Sequence, residues 1–258
     1  HYLREERQAE LDGSNSMRAA AERTRKAELG LIRASDITLV VSPVEQHLLG
    51  EIVSEADIRV LSNIHTVYGS QSPWSARQDL MFVGGFQHPP NIDAAEWLID
   101  EIFPLIRNEL PEVKLHLIGS RMPDRLRERA GPGVVVHGFV EDLSPYLNGC
   151  RLSLAPLRYG AGVKGKVNQA MAWGLPVVAT ACAAEGMYLV DGADVLLAED
   201  SASFAAQVVK AYKDQDLWNQ LSERGLANVE QFFSRQAAGR VIQALLKEDS
   251  ESVSKQAS

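Results

Sequence analysis

The sequence predicts an α/β protein: a Rossmann-like, doubly wound parallel sheet preceded by part of a second Rossmann-like domain. Short segments rich in Val, Ile and Leu alternate with helical segments, which is typical of a parallel sheet covered by helices on both faces. Several of the apolar segments also end in glycine-bearing turns, as at Gly84-Gly85, Gly119 and Gly160. Ligands bind beyond the carboxyl ends of the strands in such sheets, so these turns are the first place to look for a site.

Residues 1–76 are interpreted as the end of one domain and a hinge. Their first part is charged and alanine-rich, which favours helices, and Ser42-Pro43 has the form of a helix cap followed by a first-turn proline. Residues 62–78 are rich in Ser, Gly, Pro and Gln without periodicity, which is typical of a linker. The predicted elements are a helix to about Leu11, a helix over 16–34, a strand over 37–41, a helix from 43 and a strand over 58–61.

Residues 77–247 are predicted to form a second, ligand-binding domain, and 248–258 a polar tail that frays. The apolar segments are short enough for strands, and Gly, Pro, Asn and Asp separate them from the helical segments. Predicted strands are 80–83, 113–118, 134–136, 152–154, 176–179 and 195–197, and predicted helices begin near Asn91, Pro123, Asp142 and Gly165 and span 201–212, 214–230 and 234–247.

Composition narrows the class of protein. The formal net charge of −8 argues against a nucleic-acid partner, because phosphate backbones are bound by basic surfaces. No apolar run is long enough to cross a bilayer. Cys150 and Cys182 have neither metal-ligand spacing nor a disulfide framework, which fits a reducing cytoplasm. The chain opens at His1 on helix-like sequence, so we expect it to be part of a longer parent chain.

The loop after the fourth predicted strand of the second domain carries the clearest chemical signal. Gly160, Gly162 and Gly165 allow a ligand close to the backbone, and the helix that follows presents the positive end of its dipole. Lys164 and Lys166 add full charges at the same place. The pattern predicts a phosphate or diphosphate site. The alternative, a glycine-rich turn that binds nothing, is equally open from the loop alone, which lacks P-loop spacing.

Three other segments carry open alternatives. Gly84-Gly85 permits close approach of a ligand with Asn91 as the helix cap, or forms only a tight turn. Phe139 and Val140 form a surface for a nucleotide base, or Phe139 is simply buried at a strand end. Glu185 orients a sugar hydroxyl, or is an ordinary carboxylate at a helix start.

The predicted helix after the lysine loop has two faces. Lys166 and Gln169 share one face, which we expect to look into the cleft, where the Gln169 amide would reach a ribose hydroxyl. Trp173 lies on the same face and is assigned to packing. The opposite face, with Val167 and Met171, is expected to bury against the sheet.

Together these motifs resemble the C-terminal, donor-binding domain of the retaining, GT-B-fold glycosyltransferases of group 1. The resemblance covers about 79–246, and the combination is specific although each motif alone is weak. Residues 16–65 resemble the last elements of the family's N-terminal domain, with 61–64 at its hinge. The motifs are 82–91 (FVGGFQHPPN), 115–119 (LHLIG), 137–140 (HGFV), 155–166 (APLRYGAGVKGK) and 169–180 (QAMAWGLPVVAT).

The resemblance implies transfer of a sugar from a nucleoside-diphosphate donor to a carbohydrate or lipid-linked acceptor, with no metal and no other cofactor. It also implies a role in polysaccharide assembly, in the cytoplasm or peripherally at the inner membrane face. By resemblance, the residues near the donor are Gly84 and Gly85 at the diphosphate, Phe139 and Val140 at the base, Gly160, Gly162, Val163, Lys164, Gly165 and Lys166 around the diphosphate, Gln169 at the ribose, and Glu185.

The sequence departs from the family pattern in two places. Two glutamates separated by seven residues are replaced by Ala161 and Gln169, and the basic pair after the first strand's turn is replaced by 86–91. We therefore assign the neutralising role to Lys164, as the catalytic group, and to Lys166. The alternatives to a glycosyltransferase are a non-catalytic nucleotide-sugar-binding fragment and a GT-B-fold isomerase.

Overall fold

The computed structural model describes residues 15–256 together with Tyr2, Glu5, Glu6, Ala9 and Gly13, with side chains to Lys247. The predicted helix that ends near Leu11 lies mostly outside these residues.

The N-terminal part contains a small parallel sheet. Strands β1 (Thr38–Val40) and β2 (Ile58–Val60) pair in parallel, and helices α1 (Asn15–Ala34) and α2 (Pro43–Ile52) pack around them. The Ser42 hydroxyl accepts a hydrogen bond from the Glu45 amide (3.2 Å), so the predicted cap is confirmed. A small apolar cluster forms between these elements, including Leu29, Ile32, Leu49 and Val53.

The larger part is a six-stranded, fully parallel sheet, which confirms the predicted fold class. The strand order is β5-β4-β3-β6-β7-β8, the order of a doubly wound nucleotide-binding sheet. The chain reverses its direction of winding between β3 and β6, so a crevice opens where the carboxyl ends of these two strands diverge. The strands are β3 (Leu80–Val83), β4 (Leu115–Ile118), β5 (Val134–Gly138), β6 (Leu152–Ala155), β7 (Val177–Ala179) and β8 (Leu196–Leu197).

Helices cover this sheet and bury its Val, Leu and Ile side chains. One long helical run is divided by a π-helical stretch, Leu98–Ile102, which separates α3 from α4. The helices are α3 (Pro89–Trp97), α4 (Phe103–Glu109), α5 (Asp124–Arg127), α6 (Ser144–Gly149), α7 (Gly165–Ala172), α8 (Ala181–Ala184), α9 (Ser201–Lys213), α10 (Gln215–Phe233) and α11 (Arg235–Gln256).

Three predicted boundaries are wrong. Helix α3 begins at Pro89 with His88 in the cap position, so Asn91 lies inside its first turn and is not the cap. A proline suits the first helical position, which explains the earlier start. The last helix continues to Gln256, past the predicted end at 247. The strand predicted from Val113 begins two residues later, at Leu115.

Candidate active site

A cavity of about 670 Å³ lies in the crevice beside the carboxyl ends of β3 and β6. Residues 88–91 form one wall, and residues 159–161 and 163–166 form another. The loop predicted from the sequence to bind phosphate therefore lines the largest of the cavities found among the described residues. Glu5, from the N-terminal segment, also lines it.

Two glycines shape the lysine loop, residues 158–164. Gly160 has φ 146° and Gly162 has φ 73°, conformations that side-chain-bearing residues rarely adopt. The third predicted glycine, Gly165, is instead the first residue of α7 and has no positive φ. The loop thus places two unusual backbone turns before a helix N-terminus, whose free amides and dipole favour an anion.

The lysine loop is anchored at its start. The Thr180 hydroxyl donates a hydrogen bond to the Leu157 carbonyl (2.5 Å) from a fully buried position. Arg158 forms a bidentate ion pair with Asp93 of α3, and its guanidinium lies 5.4 Å from the centre of the Trp97 ring. These contacts fix the loop against α3 and against the strand β7, which ends just before Thr180.

Lys164 lies in the cap position of α7, half-buried in the cavity wall. Its Nζ donates a hydrogen bond to the Gly162 carbonyl (2.6 Å), so the side chain folds back over its own loop. A β-carbon placed at Gly160 would lie 3.9 Å from this Nζ. The ammonium group therefore sits directly above the two glycine turns.

Lys166 has a different environment, although it lines the same cavity. Its Nζ donates a hydrogen bond to Asn91 Oδ1 (2.5 Å) and lies 4.6 Å from the centre of the Phe82 ring. Burial, and then the charge of Lys164, lowers the pKa of Lys166 to about 7. An anion in the cavity would favour the charged form, so the site responds electrostatically to a phosphate ligand.

The other predicted site residues divide into two groups. The turn at Gly84 and Gly85 adjoins the cavity through Asn91, whose Nδ2 donates to the Gly85 carbonyl (2.8 Å). The residues that stand apart from the cavity's described lining are Phe139, Val140, Gln169 and Glu185.

Gln169 lines a neighbouring cavity of about 350 Å³, with Glu141 and Asp142. Phe139 is 74% exposed, so the alternative of a buried strand-end phenylalanine is wrong. Val140 packs on the sheet core. Glu185 follows the short helix α8. The structure therefore separates the predicted diphosphate residues from those predicted to hold the base, ribose and sugar.

Trp173, assigned to packing, stacks on Tyr68 with ring centres 4.4 Å apart, and Val167 and Met171 are buried as expected.

The sequence missed two parts of the site. Asn91 joins the Gly84-Gly85 turn to Lys166, and the Arg158–Asp93 pair fixes the lysine loop. The only signal for Asn91 was its position near the start of a helix, which also suits a cap. The Arg158–Asp93 pair spans 65 residues and has no local signature.

In the part of the chain that the structure describes, no three His, Cys, Asp or Glu side chains come together in a way that could hold a metal ion. The helices of these same residues include none with the length and apolar character needed to span a bilayer.

A doubly wound parallel sheet with a cationic pocket at its switch point defines an α/β domain that binds phosphorylated ligands. Residues 77–214, more than half of the chain, match the sequence profile of the family Glycosyl transferases group 1. The chain therefore belongs to that family. A Klebsiella pneumoniae relative, described as an uncharacterized 44.6 kDa protein in the cps region, is 25% identical over 145 residues, which are 53% of this chain and 37% of that protein.

The structure is similar to those of known GT-B glycosyltransferases, as expected. S. aureus TarM, solved in complex with fondaparinux, α-GlcNAc-glycerol and UDP, superimposes with a TM-score of 0.74 at 15% identity, over 87% of this chain and 46% of TarM. The sucrose-phosphate synthase of Thermosynechococcus elongatus gives a TM-score of 0.73 at 19% identity, over 90% of this chain and 62% of the synthase. The chain thus spans less than half the length of TarM and of the Klebsiella relative.

Proposed function

We propose that this chain is the donor-binding part of a glycosyltransferase that moves a sugar from a nucleoside-diphosphate donor to a glycan or lipid-linked acceptor without a metal. The observation that carries the proposal is the pocket in which Lys164, Lys166 and the N-terminus of α7 converge at the switch point of the sheet. Membership in the family and the UDP bound to the similar TarM structure support it.

The chemistry follows from the charge that develops when the glycosidic bond breaks. The departing diphosphate gains negative charge, and preorganised cations and amide dipoles stabilise that charge in the transition state. Lys164, above the glycine turns, is assigned this role. Gly162, Val163, Gly165 and Lys166 are proposed to surround the diphosphate, and Gln169, with its own neighbouring cavity, to contact the ribose.

Two further parts of the proposal concern the cell. The similarity to a protein of a cps region supports a role in surface polysaccharide assembly. Cys150 and Cys182 are free thiols, which supports a reducing compartment and hence the cytoplasm or the inner face of the membrane.

Calorimetric titration with UDP, GDP and dTDP tests the proposal. We expect one of these nucleotides to bind, and the one that binds most tightly identifies the base of the donor. The matching nucleoside without phosphate is the control and should bind more weakly, because it lacks the group that the lysines contact. Failure of all three diphosphates to bind would contradict the proposal.

A further inference from the structure

Asn91 occupies an unusual position for an amide side chain. It lies in the first turn of α3, 9% exposed, at the boundary between the Gly84-Gly85 turn and the lysine loop. A β-carbon placed at Gly84 would come within 3.1 Å of both Cβ and Cγ of Asn91. The glycine at position 84 therefore leaves the space that the Asn91 side chain fills.

Both ends of the Asn91 amide are used. Nδ2 donates a hydrogen bond to the Gly85 carbonyl (2.8 Å), and Oδ1 accepts one from Lys166 Nζ (2.5 Å). The first bond fixes the orientation of the amide, since a flipped side chain would place an oxygen against the Gly85 carbonyl. The acceptor is thereby aimed at Lys166, from a residue 75 positions away in the sequence.

The surroundings of Lys166 favour neither form of its amine strongly. Its Nζ rests against the Phe82 ring and on a neutral amide oxygen. Among the described residues, no carboxylate forms an ion pair with it. The titratable groups that share the cavity are Lys164 and Tyr159 from the lysine loop, His88 before α3, and Glu5 from the N-terminal segment.

We propose that Asn91 is a positioning residue that acts through Lys166, and that the Lys166 amine takes up a proton when a nucleoside diphosphate enters the pocket. This inference rests on the proposed function. The proton comes from the buffer and adds to the lone pair of Nζ, and no other bond changes. In the free protein, Asn91 holds the amine at the cavity wall without supplying a compensating negative charge. The bound diphosphate supplies that charge.

The pKa of Lys166 agrees with this geometry. Burial, and then Lys164, lowers it to about 7, so above neutral pH a large share of the amine is uncharged before the ligand arrives. A diphosphate beside the amine raises the pKa again, because an opposite charge favours the ammonium form. Linkage then requires net proton uptake on binding.

The test is calorimetric titration of the full chain with UDP at pH 8, in Tris and in HEPES, whose ionisation enthalpies differ. The dependence of the binding heat on buffer gives the number of protons taken up. We expect more than about half a proton per UDP for the unchanged protein. In Lys166→Arg, whose guanidinium is always charged, binding should persist and the uptake should fall to near zero.

A failure of UDP to bind would contradict the proposed function, whereas binding without proton uptake would contradict only this inference. Uptake that persists in Lys166→Arg would assign the proton to another group and would also overturn it. If Lys166→Arg does not fold, Lys166→Met gives the same readout, with weaker binding and no uptake.

The role of Asn91 is tested through its dependence on Lys166. Asn91→Asp supplies a carboxylate, so the amine is charged beforehand, and the proton uptake should disappear. Asn91→Leu should weaken UDP binding about tenfold in the unchanged background. In the Lys166→Met background it should have little further effect. Asn108→Asp, on the surface of α4, is the matched control and should leave uptake and affinity unchanged. Equal effects of Asn91→Leu in both backgrounds would overturn the positioning role.

Discussion

Lys164 and Lys166 stand at the start of α7, yet their amines have different surroundings. Lys164 donates to a carbonyl of its own loop, whereas Lys166 reaches across the cavity to Asn91 and lies over the Phe82 ring. We therefore expect them to act differently. Lys164 stays beside the glycine turns and can follow the charge of the leaving group. Lys166 responds to the arrival of the diphosphate.

Replacing Lys164 by alanine should impair turnover far more than stability. Removing one preorganised group that stabilises transition-state charge typically lowers kcat by about 10² to 10³-fold. The only printed hydrogen bond of its Nζ is to the Gly162 carbonyl, in a part-buried setting, so we expect a small change in unfolding free energy. Sugar transfer by the complete protein, measured together with thermal unfolding, checks this.

Lys210→Ala is the control for that experiment, because Lys210 is an exposed lysine of α9 remote from the cavity lining. It should leave both turnover and stability unchanged. Donor affinity and turnover that are unaltered in Lys164→Ala would remove this residue from the mechanism.

The sequence predicted the two lysines and the glycine turns, because they lie within one short segment. It did not predict that their environments differ. That difference comes from Phe82 and Asn91, which only the fold brings next to Lys166. The roles assigned to Gln169, Phe139 and Glu185 stay predictions.

At the scale of elements, β4, β5 and α6 are joined by a chain of polar side chains. His116 Nδ1 lies 2.8 Å from His137 Nε2, and His137 Nδ1 lies 3.1 Å from the Tyr146 hydroxyl. His116 Nε2 lies 3.3 Å from Asp79 Oδ2 at the start of β3. The two imidazole rings stack, with centres 5.1 Å apart. This chain ties the edge of the sheet to α6.

The histidine chain should make stability depend on pH. Burial, and then the charge of His116, lowers the pKa of His137 in the folded protein. The unfolded chain, with a histidine pKa of about 6.5, therefore binds protons more readily, and stability is lost as pH falls through this range. We expect urea unfolding to give a larger loss between pH 7.5 and 5.5 for the unchanged protein than for His137→Gln.

His47→Gln is the control, since the His47 side chain is exposed on α2. It should keep the pH dependence of the unchanged protein. Some dependence should persist in His137→Gln, because burial also lowers the pKa of His65. Identical slopes for His137→Gln and the unchanged protein would contradict the assignment.

The order and type of the main elements were predictable, because β-rich apolar segments and helix caps are local signals. The short helix α8 was missed, since four residues show no periodicity. The cap assigned to Asn91 was wrong for a physical reason. The two preceding prolines already fit the first helical turn, which left the amide free for contacts with distant residues.

At the scale of the whole molecule, the two sheets are connected by residues 61–79, which the sequence predicted to be a linker. The division into domains stays a prediction, but this segment is fastened along its length. The His65 amide donates to the Phe233 carbonyl (2.7 Å), and the Tyr68 amide donates to the Ala172 carbonyl (2.8 Å). Composition could not show this, because backbone hydrogen bonds to distant carbonyls leave no trace in it.

Arg77 is the central fastening of the connecting segment. It is 1% exposed, and its guanidinium donates to the carbonyls of Ser72 (2.9 Å), Leu147 (2.6 Å) and Cys150 (3.2 Å). It also lies 5.3 Å from the centre of the Trp218 ring. Burial lowers its pKa to about 10, so it is still charged at neutral pH. One side chain thus joins the segment to α6 and α10.

Replacing Arg77 by methionine should destabilise the whole chain, because the apolar stem is kept while three carbonyls lose their donor. Hydrogen bonds from a charged donor contribute about 1.5–3 kcal/mol, so we expect a loss of about 3 kcal/mol or more in the free energy of unfolding by urea. Arg107→Met is the matched control, since Arg107 also donates to two carbonyls, Pro111 and Pro132, but at the surface. Its loss should stay below about 1 kcal/mol. Limited proteolysis should also cut residues 62–78 faster in Arg77→Met alone. Equal losses in the two variants would mean that burial of Arg77 adds nothing to the connection between the sheets.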